Sequence, residues 1–348
     1  MADTAAQWLL EQLQNRSCER SLWCSDEHWF DLLPATADWT AKPRVITNRY
    51  DVFAQAQALN LACEFSDFDF SAHADQSVPR VFYRISKEKP LVHHIINEAK
   101  RVLVPGGELF LCGQKNEGIK TYADKAAQLF GCSKNLKKIG PAYAAILERK
   151  TDQGQPLDDN DYTRERPIIE QDDLRVFSKP GLFGWDKVDQ GSEYLVSKLP
   201  DALSALTEAP RSLLDLGCGY GYLALMTRDL PMTRRVLTDN NAAAVALAEV
   251  NCRENHLDAE VIAADCGDHL QERFDVVLCN PPFHQGFSVS GELTQRFLKA
   301  TQRLLSPSGV AIFVVNAFIP LENLAAERFR VKTLGNNGRF KVIQLQRL

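Results

Sequence analysis

From residue 212 onward, apolar and β-branched stretches alternate with helical ones. Segments 212–217, 235–239, 260–265, 274–280 and 310–316 read as strands, while 242–251 and 291–305 carry the spacing of amphipathic helices. A helix between successive strands carries the chain back to the same end of a sheet, so this order predicts a parallel, doubly wound sheet. The last two strand patterns, 329–334 and 340–347, lie too close together for a crossover helix and predict an antiparallel hairpin at the sheet edge.

The first half echoes the second. Val45-Ile46-Thr47 matches Val236-Leu237-Thr238 at an offset of 191, and Arg101 to Gly107 matches Arg303 to Gly309 at 202. Leu136, Gly140 and Arg149 match Leu334, Gly338 and Arg347 at 198. The matches keep their order, as expected of a duplicated fold with altered loops. Where the second half reads Cys279-Asn280-Pro281-Pro282, the first reads Tyr83-Arg84-Ile85-Ser86, and no glycine-rich turn precedes Val45. The expected organisation is therefore two tandem Rossmann-like α/β domains. Residues 1–150 form a degenerate copy that recognises substrate, 151–173 an acidic linker, and 174–348 the working copy, its mixed sheet ending in the hairpin.

Charge refines this division. The net charge of −5 breaks down as +1 over 1–150 (19 basic, 18 acidic), −6 over 151–173 (2 basic, 8 acidic) and 0 over 174–348 (19 of each). Both large blocks are neutral, which leaves room for basic clusters such as Lys134, Lys137 and Lys138, or Arg339 and Lys341, to meet phosphate. The nine cysteines form no CxxC pair, so reduced structural thiols are expected and no metal centre. No apolar run approaches the roughly eighteen residues of a membrane span, and the first residues lack a secretory pattern, so a cytoplasmic protein with no membrane partner is expected.

Two motifs carry the chemistry. Asp215-x-Gly217-x-Gly219-x-Gly221 lies between a strand and a helix, where glycines allow a tight turn and a close approach of ligand to backbone. The spacing departs from the GxGxxG of pyrophosphate-binding turns, which favours S-adenosylmethionine (AdoMet). Asp239, at the next strand end, suits the two ribose hydroxyls, and Asp265, at the third, suits the adenine amino group. Their neighbours Asn240 and Cys266, with Cys218 in the turn, complete the expected cofactor set. Turn formation and helix capping are the plainer readings of Asp239 and Asp265. Phe183, in a glycine-flanked aromatic segment, either lids the cofactor or packs in an entry loop.

Asn280-Pro281-Pro282-Phe283 is the second motif. An exocyclic amine is a poor nucleophile because its lone pair is delocalised. The Asn280 side-chain oxygen and the Pro281 carbonyl, held rigid beside Pro282, can accept its two N–H groups and let the nitrogen pyramidalise. Phe283 would stack on an extruded base. His284 is either a base or a neighbour that positions the loop or touches RNA. A long loop, 283–291, would grip the substrate.

With Asn316-Ala317-Phe318 and Gly338-Arg339-Phe340-Lys341, these motifs make the whole chain resemble the ribosomal RNA guanine-N2 methyltransferases, in particular the small-subunit branch acting on 16S rRNA. The resemblance implies two class I methyltransferase domains, the first degenerate. It also implies AdoMet-dependent methylation of guanine N2 in 16S rRNA of the 30S subunit by a monomer, with His284, Asn316, Arg339 and Lys341 near the substrate. The sister activity on 23S rRNA and a non-enzymatic RNA-binding assembly factor are the alternatives.

Overall fold

A computed structural model describes residues 3–348 except 17, 30, 34–38, 40, 41, 172 and 283–286; for 287–291 it describes the backbone but not the side chains. The chain divides into two compact units, Met1–Arg164 and Glu165–Leu348.

The first unit is built on seven strands: β1 (Leu22–Ser25), β2 (Arg44–Thr47), β3 (Cys63–Phe65), β4 (Val78–Arg84), β5 (Leu103–Gln114), β6 (Leu136–Ile139) and β7 (Ala142–Glu148). Their order is β3-β2-β1-β4-β5-β7-β6, parallel except where β7 joins β5 and β6. Helices α1 (Thr4–Gln14) and α2 (Tyr50–Ala58) cover one face, and α3 (Lys89–Val102) and α4 (Ile119–Phe130) the other. Asp3 caps α1 by accepting from the Ala5 and Ala6 amides.

The second unit opens with the hairpin β8 (Arg166–Gln171) and β9 (Leu174–Ser178), then α5 (Gln190–Ser197) and α6 (Leu199–Leu203). Its sheet has β10 (Ser212–Leu216), β11 (Arg234–Asp239), β12 (Glu260–Ala263), β13 (Phe274–Cys279), β14 (Leu305–Asn316), β15 (Phe329–Asn336) and β16 (Phe340–Arg347). The order β12-β11-β10-β13-β14-β16-β15 repeats that of the first sheet strand for strand, antiparallel hairpin included. Helices α7 (Tyr222–Leu225), α8 (Ala242–Glu254), α9 (Phe287–Leu304) and α10 (Leu321–Ala325) complete the unit. Because α9 begins at Phe287, the loop expected over 283–291 gives way to helix for its second half.

The register corrects one repeat. Leu22 pairs with Arg44 and Val81, as Leu214 pairs with Val236 and Val277. Val81 in turn pairs with Leu109, as Val277 does with Ala311, and 109 to 311 is the 202 offset seen in the sequence. The first two strands are thus displaced by 192, not by the 191 that the Val-x-Thr match implied. A slip of one residue would turn every side chain to the opposite face. In this register Trp23 corresponds to Asp215, Thr47 to Asp239 and Arg84 to Asn280. Gly107 and Gly309 correspond too, and for the same reason: an added Cβ would lie 3.1 Å from the Pro79 carbonyl oxygen in one copy and 2.8 Å from that of Asp275 in the other.

The acidic stretch is not a plain connector. Asn97 grips the Leu157 backbone through both its amide groups at 2.8 Å, and buried Tyr162 donates to Asp67 at 2.7 Å, so its first part belongs to the first unit. Its end is hairpin β8–β9 of the second.

Candidate active site

The strand order of the second unit reverses between β10 and β13, the switch point where the carboxyl ends of an open α/β sheet leave a crevice. Their pairing ends at Asp215 opposite Leu278, so the glycine turn and Asn280 leave the sheet side by side.

Backbone hydrogen bonds shape the turn. The amides of Gly217 and Cys218 both donate to the Thr238 carbonyl at 2.9 Å, folding the chain back over β11. Gly217, Gly219 and Gly221 sit at φ of 77°, 55° and 86°, the left-handed region that favours glycine. A Cβ on Gly219 would meet nothing within 4 Å, so open space lies above the turn. Cys218 is buried beside it.

Two carboxylates brace this turn in different ways. Asp239, half-buried at the end of β11, accepts from the Gly219 amide and the Asn241 amide, each at 2.9 Å, with Asn240 between them. Asp215 is fully buried. It accepts from the Ala224 amide at 3.0 Å, and its other oxygen finds no partner among the described residues. Burial pushes its carboxyl up to about 7.

Asp265 and Cys266 lie just past β12, two and three residues beyond its end. Asp265 forms an ion pair with Arg296 of α9, and Cys266 is half-buried. Phe183 is 58% exposed.

At the substrate end, Asn280 donates through Nδ2 to Asp189 Oδ2 and to Ser192 Oγ, both at 2.9 Å. Its Oδ1 has no hydrogen bond among the described residues. Pro281 is buried and Pro282 exposed. Asn316 ends β14 opposite Phe340, and the next amide, Ala317, donates to the Arg339 carbonyl at 2.8 Å. Arg339 is exposed, lies over the Phe340 ring and donates to Gln190 Oε1 at 2.5 Å. Phe318, beside Asn316, is 69% exposed.

The expected residues do not all converge. Lys341 turns to the opposite face of the sheet from Phe340 and is 8% exposed, its ammonium 2.7 and 2.9 Å from the Glu322 carboxylate of α10. Phe283 and His284 lie outside the described residues. In the other direction, Asp189 and Ser192 meet Asn280 and Gln190 meets Arg339; the sequence offers Asp189-x-Gly191 only as part of the segment that could lid the cofactor, and not these contacts. An Asp three residues before a Ser signals a helix cap, but nothing local shows that this cap reaches Asn280, 91 positions on.

In the first unit the corresponding places are filled. Trp23, buried and edge-on to Trp29 at 4.5 Å, stands where Asp215 does. Arg84 replaces Asn280 and is bound by Glu117 at 2.8 Å, Asp3 at 2.9 Å and the Ile85 carbonyl.

Comparison with known proteins agrees with this geometry. Residues 173–344 match the family described as Methyltransferase small domain, and residues 9–160 its N-terminal counterpart. The chain is 31% identical to the ribosomal RNA small subunit methyltransferase C of Actinobacillus succinogenes over 90% of each chain. It is 30% identical to that of Citrobacter koseri over 97% of this chain and 95% of the relative. Among solved structures, the T. thermophilus 16S rRNA N2 G1207 methyltransferase, in complex with AdoMet and guanosine, superposes with a TM-score of 0.84 at 25% identity, covering 99% of this chain and 92% of that one. The switch-point site and these likenesses across nearly the whole length lead to one conclusion: the chain belongs to the ribosomal RNA small subunit methyltransferase C family.

Proposed function

We propose that this chain transfers a methyl group from AdoMet to the exocyclic N2 of one guanine of 16S rRNA, within the 30S subunit. The observation that carries this reading is the Asn280 amide. It stands beside the glycine turn with both donor hydrogens engaged and its acceptor oxygen open among the described residues, and an aromatic NH2 group needs such an acceptor.

The cofactor end fits AdoMet. The space above Gly219 has no Cβ to fill it, and the Asp239 carboxylate flanks that space with charge for the ribose hydroxyls. Gly217, Cys218 and Gly221 would line the rest, with Asn240, Asp265 and Cys266 toward the adenine and Phe183 as a lid. When bound, AdoMet supplies a sulfonium methyl.

The chain's own groups then act on the guanine. Asn280 Oδ1 and the Pro281 carbonyl accept the two N2 hydrogens, which draws the nitrogen toward pyramidal geometry and frees its lone pair. AdoMet held at the glycine turn would supply the methyl group to N2 and leave as a neutral thioether, keeping the electrons of the broken S–C bond. The surplus proton then leaves N2 for solvent, because the alkylated nitrogen is strongly acidic. Alignment and fixed dipoles do most of the work, so no strong base is needed.

Asn316 and Arg339, at the same end of the sheet, belong to the substrate pocket in this reading, and the filled first unit serves RNA binding. The enzyme works as a monomer in the cytoplasm, where ribosomal subunits mature. Incubation with labelled AdoMet and 30S, 50S, free 16S or free 23S RNA tests it. Label is expected in 16S rRNA of the 30S particle; label concentrated in 23S rRNA overturns the substrate assignment.

A further inference from the structure

We infer that Asp189 and Ser192, at the start of α5, are positioning residues that fix which way the Asn280 amide faces. This rests on the role given to Asn280 above. An amide side chain is almost symmetric in shape but opposite in chemistry at its two ends: NH2 only donates and oxygen only accepts. A flip of Asn280 would leave its packing nearly unchanged, yet it would set NH2 against the NH2 of guanine. Nothing in the shape of the pocket forbids that; the hydrogen-bond partners do.

An ionised carboxylate can only accept. Asp189 Oδ2 lies 2.9 Å from the Asn280 amide nitrogen, so that position must be occupied by Nδ2. Ser192 Oγ, also at 2.9 Å, takes the second hydrogen. Both donors are thereby used on the α5 side, and Oδ1 is the end left for substrate.

The carboxylate is itself fixed. The Ser192 amide donates to the same Oδ2 at 2.8 Å, so a single oxygen caps the helix and orients Asn280. The residue between them supports this arrangement: a Cβ on Gly191 would lie 2.9 Å from Asp189 Oδ2 and 3.2 Å from the Phe340 ring. Glycine there leaves the carboxylate its place. Asp189, Gly191 and Ser192 thus form one device, anchored by buried Leu195 one turn on.

The test uses the full chain, with single-turnover methylation of 30S subunits, AdoMet affinity by calorimetry and a thermal midpoint. Asp189→Ser keeps an oxygen able to cap the Ser192 amide but is too short to reach Asn280. Its turnover is expected to fall on the order of 10–100-fold, with AdoMet affinity and midpoint unchanged. A polarity swap then separates orientation from capping. Asn280→Asp alone opposes two carboxylates and should be nearly inactive. Combining it with Asp189→Asn should recover at least about tenfold, since the introduced amide can donate to the introduced carboxylate and leave one oxygen for substrate.

A double variant no better than Asn280→Asp, or an Asp189→Ser whose defect lies in AdoMet affinity, overturns the inference. Full turnover in Asp189→Ser beside a dead Asn280→Ala overturns it too, while leaving the role of Asn280 intact. A vigorous Asn280→Ala removes that role itself. Should Asp189→Ser fold poorly, the swap decides alone: Asn280→Asp keeps the Asp189 cap, and the thermal midpoint of the double variant reports whether Asp189→Asn still caps α5.

Discussion

Trp23 occupies the position in β1 that Asp215 holds in β10, although the triplet following each in the next strand had suggested a neighbouring alignment. A bulky indole, fully buried, thus replaces the carboxylate beneath the cofactor turn. Thr47 likewise stands in place of Asp239. Calorimetry on the full chain should therefore count one AdoMet per chain, and Asp239→Ala should leave no second, weaker isotherm. A stoichiometry of two would show that the first unit still binds cofactor.

Asp239 joins the turn to the end of β11 by accepting from Gly219 and Asn241. Asp239→Ala removes the acceptor proposed for the ribose hydroxyls and frees the Gly219 amide that it holds. AdoMet affinity should drop by about 1–3 kcal/mol, the scale of leaving polar groups without a charged partner. Equal affinity in the two proteins would reduce Asp239 to a turn residue.

Asp215 makes stability depend on pH. Its folded value of about 7 is raised by burial, above the roughly 3.9 of an exposed aspartate. The folded chain thus keeps a proton that the unfolded chain has released between those values. Stability from this group is fullest at the acid end, declines as pH rises from about 4 to 7, and is level above. In denaturant titrations, wild type should lose ground to Asp215→Asn by up to about 1.4 kcal/mol per pH unit across that window. A difference independent of pH would mean that Asp215 does not change protonation there.

Lys341 tests structure against RNA contact. Its buried ammonium is engaged by Glu322, so Lys341→Met should lower the thermal midpoint by the equivalent of about 1–3 kcal/mol and leave KM for 30S subunits unchanged. A raised KM at constant midpoint would return Lys341 to the substrate surface.

Much of this was legible in the sequence, because periodicity and turn chemistry are local. The alternation of strands and helices gave the doubly wound order, and the short spacing before Phe340 gave the hairpin. The glycine run and Asn280-Pro281-Pro282 were visible as motifs. What the sequence hid was long-range pairing. Nothing near Lys341 announces Glu322, and nothing near Asp265 announces Arg296. The start of α9 was missed because Phe287-Ser-Val-Ser is weakly helical on its own. The acidic run masked Leu157 and Tyr162, two anchors whose burial depends on partners 60 and 95 residues away.

Arg84 ties the first unit to the packing it now has. It is 1% exposed and bound between Asp3 and Glu117, with buried Asp26 close enough for its charge to be felt. Placing asparagine there would strand these carboxylates without their counter-ion, at a cost of several kcal/mol. Reawakening this copy would need changes at β1, at the end of β2 and around Arg84 together, each harmful or useless alone. No single substitution at these positions therefore turns the first unit into a second methyl-transferring centre.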